Sequence, residues 1–263
     1  VEEVAKRRPD GILFDYIRYP RGTGTHSVVS SVKDLWIYGE ASKQVLYQRA
    51  QNRQGRALID RYIHNGYITA QDISAVKEGY PDETIPLWQG RTPLAWEYGA
   101  SAQQLQQKLQ LDLWYLTVAH AAQGVIDFLA VASDPAQRQG IQSGAVFFPD
   151  ANQTVGEMGF DSRLQPWDKF PVNMEYHPMS YGVCGHSGCI VDLVRRVTDM
   201  ANPRVRITPA LAGGWGQAVN NRPSLENQME SIRRTLPQIN SISHFAYSWQ
   251  EPELDRQRRF CSL

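Results

Sequence analysis

The stretch Pro9-Asp-Gly-Ile-Leu-Phe-Asp-Tyr-Ile-Arg-Tyr-Pro20 decides how this chain is read. Asp10-Gly11 forms a turn, and Ile12, Leu13 and Phe14 follow as an apolar strand, predicted over 10–19. An acid, Asp15, and a base, Arg18, end that strand. Side chains alternate along a strand, so Asp15 shares a face with Leu13 and Ile17. A carboxylate among such neighbours is expected to hold its proton more tightly unless it is paired, which suits a general acid.

Four more strands are expected downstream. They are "GAVFFPDANQ" (144–153), "NMEYHPMSYG" (173–182), "RVRITPALAGGWG" (204–216) and "SISHFAYSWQEPE" (241–253). Amphipathic helices fall between them at 190–201 and 224–239, the second opened by Ser224 as N-cap. Alternating strands and helices predict a parallel α/β sheet. Polar and aromatic residues gather at the carboxyl ends of the strands, the pattern of a TIM-like (β/α) barrel. A closed barrel needs eight strands and this chain supplies five. The expectation is therefore the C-terminal five strands of such a barrel, with the rest upstream of Val1 in a barrel fragment or partner, or else an open sheet.

Between the first strand and the others the rhythm turns helical. Residues 28–140 read as a large helical insertion, flanked by 1–27 and by 141–263. Thr69 with Asp72 caps a short helix. Leu105, Leu109, Leu113 and Leu116 recur at helical spacing in a long helix over 101–129. Trp36, Trp88, Trp96 and Trp114 of the insertion are core or interface residues, and His120 is structural.

Composition narrows the function. The 263 residues carry 27 basic and 27 acidic side chains, so no net charge favours nucleic acid or an anionic membrane. No continuous apolar run approaches the ~20 residues of a membrane span. "GTGTHS" lacks a phosphate-binding fingerprint, and "SHFAYSW" lacks the glycines of a serine nucleophile elbow. No metal cluster or cofactor motif is seen. Cys184 and Cys189 bracket "CGHSGC", readable as free thiols or as a disulfide in an oxidising compartment; Cys261 has no assigned role.

The acid on an apolar strand end, with aromatics at neighbouring strand ends, leads to an expectation of carbohydrate chemistry. Two carboxylates facing each other across a sugar hydrolyse glycosidic bonds. Asp15 and Glu175 are the expected catalytic pair, with Asp150 and Glu251 in reserve. Tyr16, Tyr181, Trp215 and Trp249 offer flat apolar faces for stacking on sugar rings. Arg18, Asp150, Asn152, His177 and Glu251 complete the expected substrate-binding set.

The opening motif "DGILFDYIRYP" resembles the glycosyl hydrolase-like 10 group, the "family 10 glycosylhydrolase" proteins. "AVFFPDANQ", "HPMSYGVCGHSGCI", "PALAGGWG" and "SHFAYSW" look like later segments of cyanobacterial members. The resemblance implies a TIM-like barrel, an active-site acid at Asp15 and a polysaccharide or oligosaccharide substrate. It also implies a periplasmic, secreted or envelope location, which favours a Cys184–Cys189 disulfide. Many relatives carry two adjacent acids where this chain has Asp15 followed by Tyr16. The alternative is a barrel without catalysis that serves as a binding or scaffolding subunit of a larger assembly.

Overall fold

The computed structural model describes residues 1–22 and 27–245. Helix α1 (Glu2–Ala5) leads into strand β1 (Gly11–Phe14). Then come β2 (Val28–Val29) and the helices α2 (Glu40–Gln48), α3 (Arg53–Asn65), α4 (Ala70–Gly79) and α5 (Ala102–Gln137). Strands β3 (Gln142–Phe147), β4 (Thr154–Val155), β5 (Gly159–Asp161) and β6 (Glu175–Pro178) follow, then α6 (Gly188–Met200), β7 (Ala210–Ala212), α7 (Leu225–Thr235) and β8 (Ser243–Phe245). The fold is mixed α/β and divides into two units. One comprises Val1–Ser27, Val125–Thr154 and Asp161–Leu263, the other Val28–Gly124 and Val155–Phe160.

The first unit is built on parallel strands taken in chain order. β1 pairs with β3, setting Gly11 opposite Gln142 and Phe14 opposite Ala145. β3 pairs with β6, setting Gly144 opposite Glu175 and Phe147 opposite Pro178. Parallel bridges Tyr176–Ile207 and Met179–Ala210 carry the pairing to β7, and β7 pairs with β8. β1 and β8 stand at the two ends of this order among the described residues.

Alternation gives the sheet two chemically different faces. One face is a packed core. Phe147 stacks on Trp167 at 4.9 Å between ring centroids and meets Phe170 and Tyr176 edge-on. Leu211 joins Ile190, Val191 and Val194 of α6 and Leu225 and Ile232 of α7 in a buried cluster. The opposite face carries Leu13, Val146, His177 and Met179.

The second unit is helical, with a short β2–β5–β4 sheet at its margin. Local chemistry sets its helix ends. Asn52 accepts the Gly55 N–H at 2.8 Å to start α3, and Gly66 ends it at φ 90°. Thr69 and Asp72 form the capping box of α4. Leu58, Ile59, Ile73, Leu105, Leu109 and Leu113 are fully buried. Arg91 and Glu97, both nearly inaccessible, pair inside this unit, with Asp112 behind the arginine at 3.4 Å. Trp88 and Trp114 are buried as expected, whereas Trp36 and Trp96 are exposed.

Two expectations change. α5 continues to Gln137, and its end belongs to the first unit, because Ala136 packs on Ala5 and Ile12. α5 is also long and apolar enough to cross a bilayer by length and composition alone, with a mean hydropathy of 1.4. Scattered Gln, Asp and His residues break any continuous apolar run, yet the average stays high. The apolar window is 44% buried, and a core helix passes the same test.

Gly55 supplies a test of the packing. A Cβ there would stand 2.0 Å from the Leu87 carbonyl oxygen, a backbone atom that Gln51 N–H also uses. Helix propensity gains about 1 kcal/mol from Gly→Ala, but the clash is larger. Gly55→Ala is expected to destabilise by about 3 kcal/mol or more. Chemical denaturation of both proteins measures it.

Candidate functional site

The chain leaves β1 through an abrupt turn. Tyr16 adopts φ 59°, a left-handed conformation unusual for a bulky residue. Its N–H donates to Asp15 Oδ1 at 2.7 Å, and the Arg18 N–H donates to the Tyr16 carbonyl at 2.8 Å. This turn lifts Asp15 and Tyr16 into solvent. Asp15 is exposed and Tyr16 is 73% exposed. Burial of Asp15 among its apolar strand neighbours, expected from alternation, does not occur, because the strand ends before it.

Asp15 stands on the rim of a cavity of about 440 Å³ in the first unit. Leu13, Val146 and Met179 give it an apolar floor, with His177 among them. Phe148, Tyr181 and Phe245 are its aromatic walls, and Tyr181 stacks on Phe245 at 5.7 Å. Ser243, His244 and Arg18 add polar groups. Burial pushes the Tyr181 phenol well above its usual pKa, and the Asp15 carboxylate adds to that rise while Arg222 opposes it. Tyr181 therefore stays a neutral hydroxyl. Trp215, 49% exposed, lies edge-on to the His244 ring at 6.5 Å.

Gly144 makes room for the floor. A Cβ there would come within 2.6 Å of Leu13 Cδ2 and 2.9 Å of His177 Cδ2. The imidazole thus lies over a strand position that only glycine leaves open. His177 is 7% exposed, and neither ring nitrogen has a hydrogen-bond partner among the described residues. Glu175 Oε1 is 3.9 Å from Nε2, beyond hydrogen-bond range. Burial pulls the His177 pKa below its usual value; Glu175 works against this and Arg206 with it.

Glu175 does not meet Asp15. It opens β6 and is level with Gly144 and Leu13, whereas His177, two residues on, is level with Val146, beyond the last paired residue of β1. Two residues displace it about 6.6 Å toward the amino ends of the strands. There it accepts from the Thr208 hydroxyl and, at 3.0 Å, from Gln142 Nε2, with Arg206 Nε at 3.3 Å. Its role as the catalytic partner is corrected to an anchor at the base of the sheet. Parity alone places it on the correct face; its height along the strand places it at the wrong end.

Asp150 and Asn152 are also committed elsewhere. Asp150 pairs with Arg163 at 3.0 Å, which Asp161 holds from the other side at 2.7 Å. Asn152 donates to Asp168 at 2.9 Å and accepts from Arg196 at 2.8 Å. Neither is among the residues lining the cavity; in this structure both brace loops. Trp249, Glu251 and Cys261 lie outside the described residues. Cys184 and Cys189 form a disulfide. Among the described residues no group of three or more His, Cys, Asp or Glu side chains is placed to hold a metal.

The structure thus gathers Asp15, Tyr16, Arg18, His177 and Tyr181 from the expected set, with Trp215 beside them. Leu13, Val146, Met179 and Phe245 were missed, although strand parity carried across the sheet finds them. His244 falls on the opposite parity, and no pattern in the sequence announces it.

Comparison with family models, with curated proteins and with solved structures finds no match to this chain. The resemblance to the glycosyl hydrolase-like 10 group accordingly rests on its motifs.

The depressed His177 pKa has a direction that can be measured. The unfolded chain binds a proton near the ordinary value of 6.5, and the folded chain only below it. The contribution is fully present above that value and is lost as pH falls through it toward the folded pKa. Wild type is expected to lose stability as pH falls through 6.5, and His177→Leu to lose less over the same fall. Thermal melts at stepped pH measure the difference.

Proposed function

We propose that this chain is a carbohydrate-active protein of TIM-like barrel type, whose cleft takes a sugar of an envelope or extracellular polysaccharide. The observation carrying this reading is the solvent-facing Asp15 carboxylate at the carboxyl end of a parallel strand, on the rim of an aromatic-walled cavity. Ligand sites of parallel α/β folds lie at that end. The cavity volume falls within the range of small-molecule sites. Aromatic rings with a few polar groups between them suit a pyranose, which presents apolar faces and hydroxyl edges. Leu13, 55% exposed on the cavity face, is the surface that further barrel strands beside β1 would cover.

In this reading Asp15 supplies one of the two carboxylates of glycoside hydrolysis. The second donates or accepts the complementary proton, or attacks the anomeric carbon. Glu251 is the remaining acid of the expected set. The Cys184–Cys189 disulfide supports an oxidising compartment.

A second reading, binding without catalysis, is favoured by one observation. Among the described residues Asp15 is the only acid lining the cavity.

Release of reducing ends from a polysaccharide panel tests both. Asp15→Asn and Glu251→Gln are expected to lose about 10²–10⁴-fold of the activity. Glu175→Gln is expected to keep activity within a few-fold and to melt lower, since it weakens the pair with Arg206. Binding with no release by wild type would select the second reading. Neither binding nor release would end the saccharide assignment.

A further inference from the structure

Among the described residues lining the cavity there is one arginine, and none of them neutralises it. Arg18 lines the same cavity as Asp15. Its guanidinium carbon stands 4.7 Å from the Tyr16 ring centroid and 5.4 Å from that of Phe148. Nη1 donates to the Tyr19 carbonyl at 2.9 Å, and Nε is buried without a partner. That bond to Tyr19 is the guanidinium's one hydrogen bond among the described residues, and no carboxylate, Asp15 included, lies within ion-pair distance. Nearby arginines of the same unit differ. Arg163 is held by Asp150 and Asp161, and Arg206 by Glu175.

Two aromatic faces orient the Arg18 cation and strip part of its hydration. They replace that hydration only in part, since a cation over a ring gains less than one paired with an anion. A planar guanidinium with free N–H groups matches the two oxygens of a carboxylate. The floor of the cavity, Leu13 and Val146, is apolar, and no described residue supplies Arg18 with a counter-charge, a role that a ligand carboxylate fits.

We propose that Arg18 selects an acidic sugar, pairing with the carboxylate of a uronic acid or similarly carboxylated residue. The inference rests on the saccharide reading and names its substrate class. Asp15 repels the same anion, so the acidic group sits toward Arg18 and away from the carboxylate that would do the chemistry.

Calorimetric titration of the whole chain with matched oligosaccharide pairs tests it. The probes are galacturonan, alginate and glucuronan oligomers, each against its carboxyl-reduced neutral counterpart. At least one acidic member is expected to bind about tenfold or more tightly than its neutral counterpart. Its affinity should fall between 50 and 500 mM salt, as screening requires, while that of the neutral form stays level. Arg18→Gln is expected to erase the preference between acidic and neutral members, and Arg18→Lys to keep part of it. Equal binding of acidic and neutral members by wild type would overturn the proposal and leave the saccharide reading standing. A preference that persists in Arg18→Gln would overturn it too. No binding by any member would remove both. The wild-type comparison alone decides the matter if a variant fails to fold.

Discussion

The register that sets Leu13 beside Gly144 and Gly144 beside Glu175 governs everything that follows in the first unit. In a parallel sheet a slip of one residue exchanges the two faces. Here one face carries Phe14, Ala145, Phe147 and Tyr176 into a packed aromatic core, and the other carries Leu13, Val146, His177 and Met179 into the cavity. The core face fixes the alignment, because Phe147 and Tyr176 meet Trp167 and Phe170 in contacts that a slipped strand would lose. The cavity face is then set without needing stability of its own. This division lets a buried imidazole without a hydrogen-bond partner among the described residues persist on the cavity side.

Asp15 answers the question its strand poses. An acid in an apolar strand is costly if the strand continues around it. The chain avoids that cost by ending β1 at Phe14 and turning through a left-handed Tyr16. Holding a bulky residue there costs on the order of 1–3 kcal/mol. The Tyr16 N–H bond to Asp15 and the cation–π contact from Arg18 offset part of it. The strain and the exposed carboxylate are one feature: the turn that keeps the acid out of the core is the turn that presents it.

Much of this was legible in the residues. Each of the five expected strand spans overlaps a parallel strand, shorter than expected and in the last case described only to Phe245, and the caps at Thr69 and Ser224 follow from short-range hydrogen-bond chemistry. The extent of α5 was not, since its last turns are held by contacts with Ala5 and Ile12, far away in sequence. The site was legible where one strand carries its own signal, as with Asp15, His177 and Tyr181. It was misread where two strands must be compared. Glu175 and Asp15 both point to the cavity side by parity, but only inter-strand register reveals that they stand at different heights. The pairing of Asp150 with Arg163 was hidden for a related reason: Arg163 comes from a loop that no periodic pattern places.

The Tyr181 wall shows how such a cavity keeps its shape without a covering strand of its own. β6 ends at Pro178, so Tyr181 stands in irregular chain, where a large ring would ordinarily sample several positions. Arg222 holds its carbonyl with two N–H groups, at 3.0 and 3.3 Å. Four residues on, the Gly185 N–H donates to the Asn221 carbonyl at 2.8 Å. Between these two ties the disulfide joins Cys184 to the first turn of α6, and Gly182 packs so closely on Cys189 that a Cβ would stand 2.6 Å from its sulfur. The segment carrying Tyr181 is thus pinned to the 221–222 turn by hydrogen bonds and to a helix by a covalent bond. A ring fixed in this way meets a flat ligand with little conformational entropy left to lose, whereas the same tyrosine on an untethered loop would forfeit that advantage on every encounter.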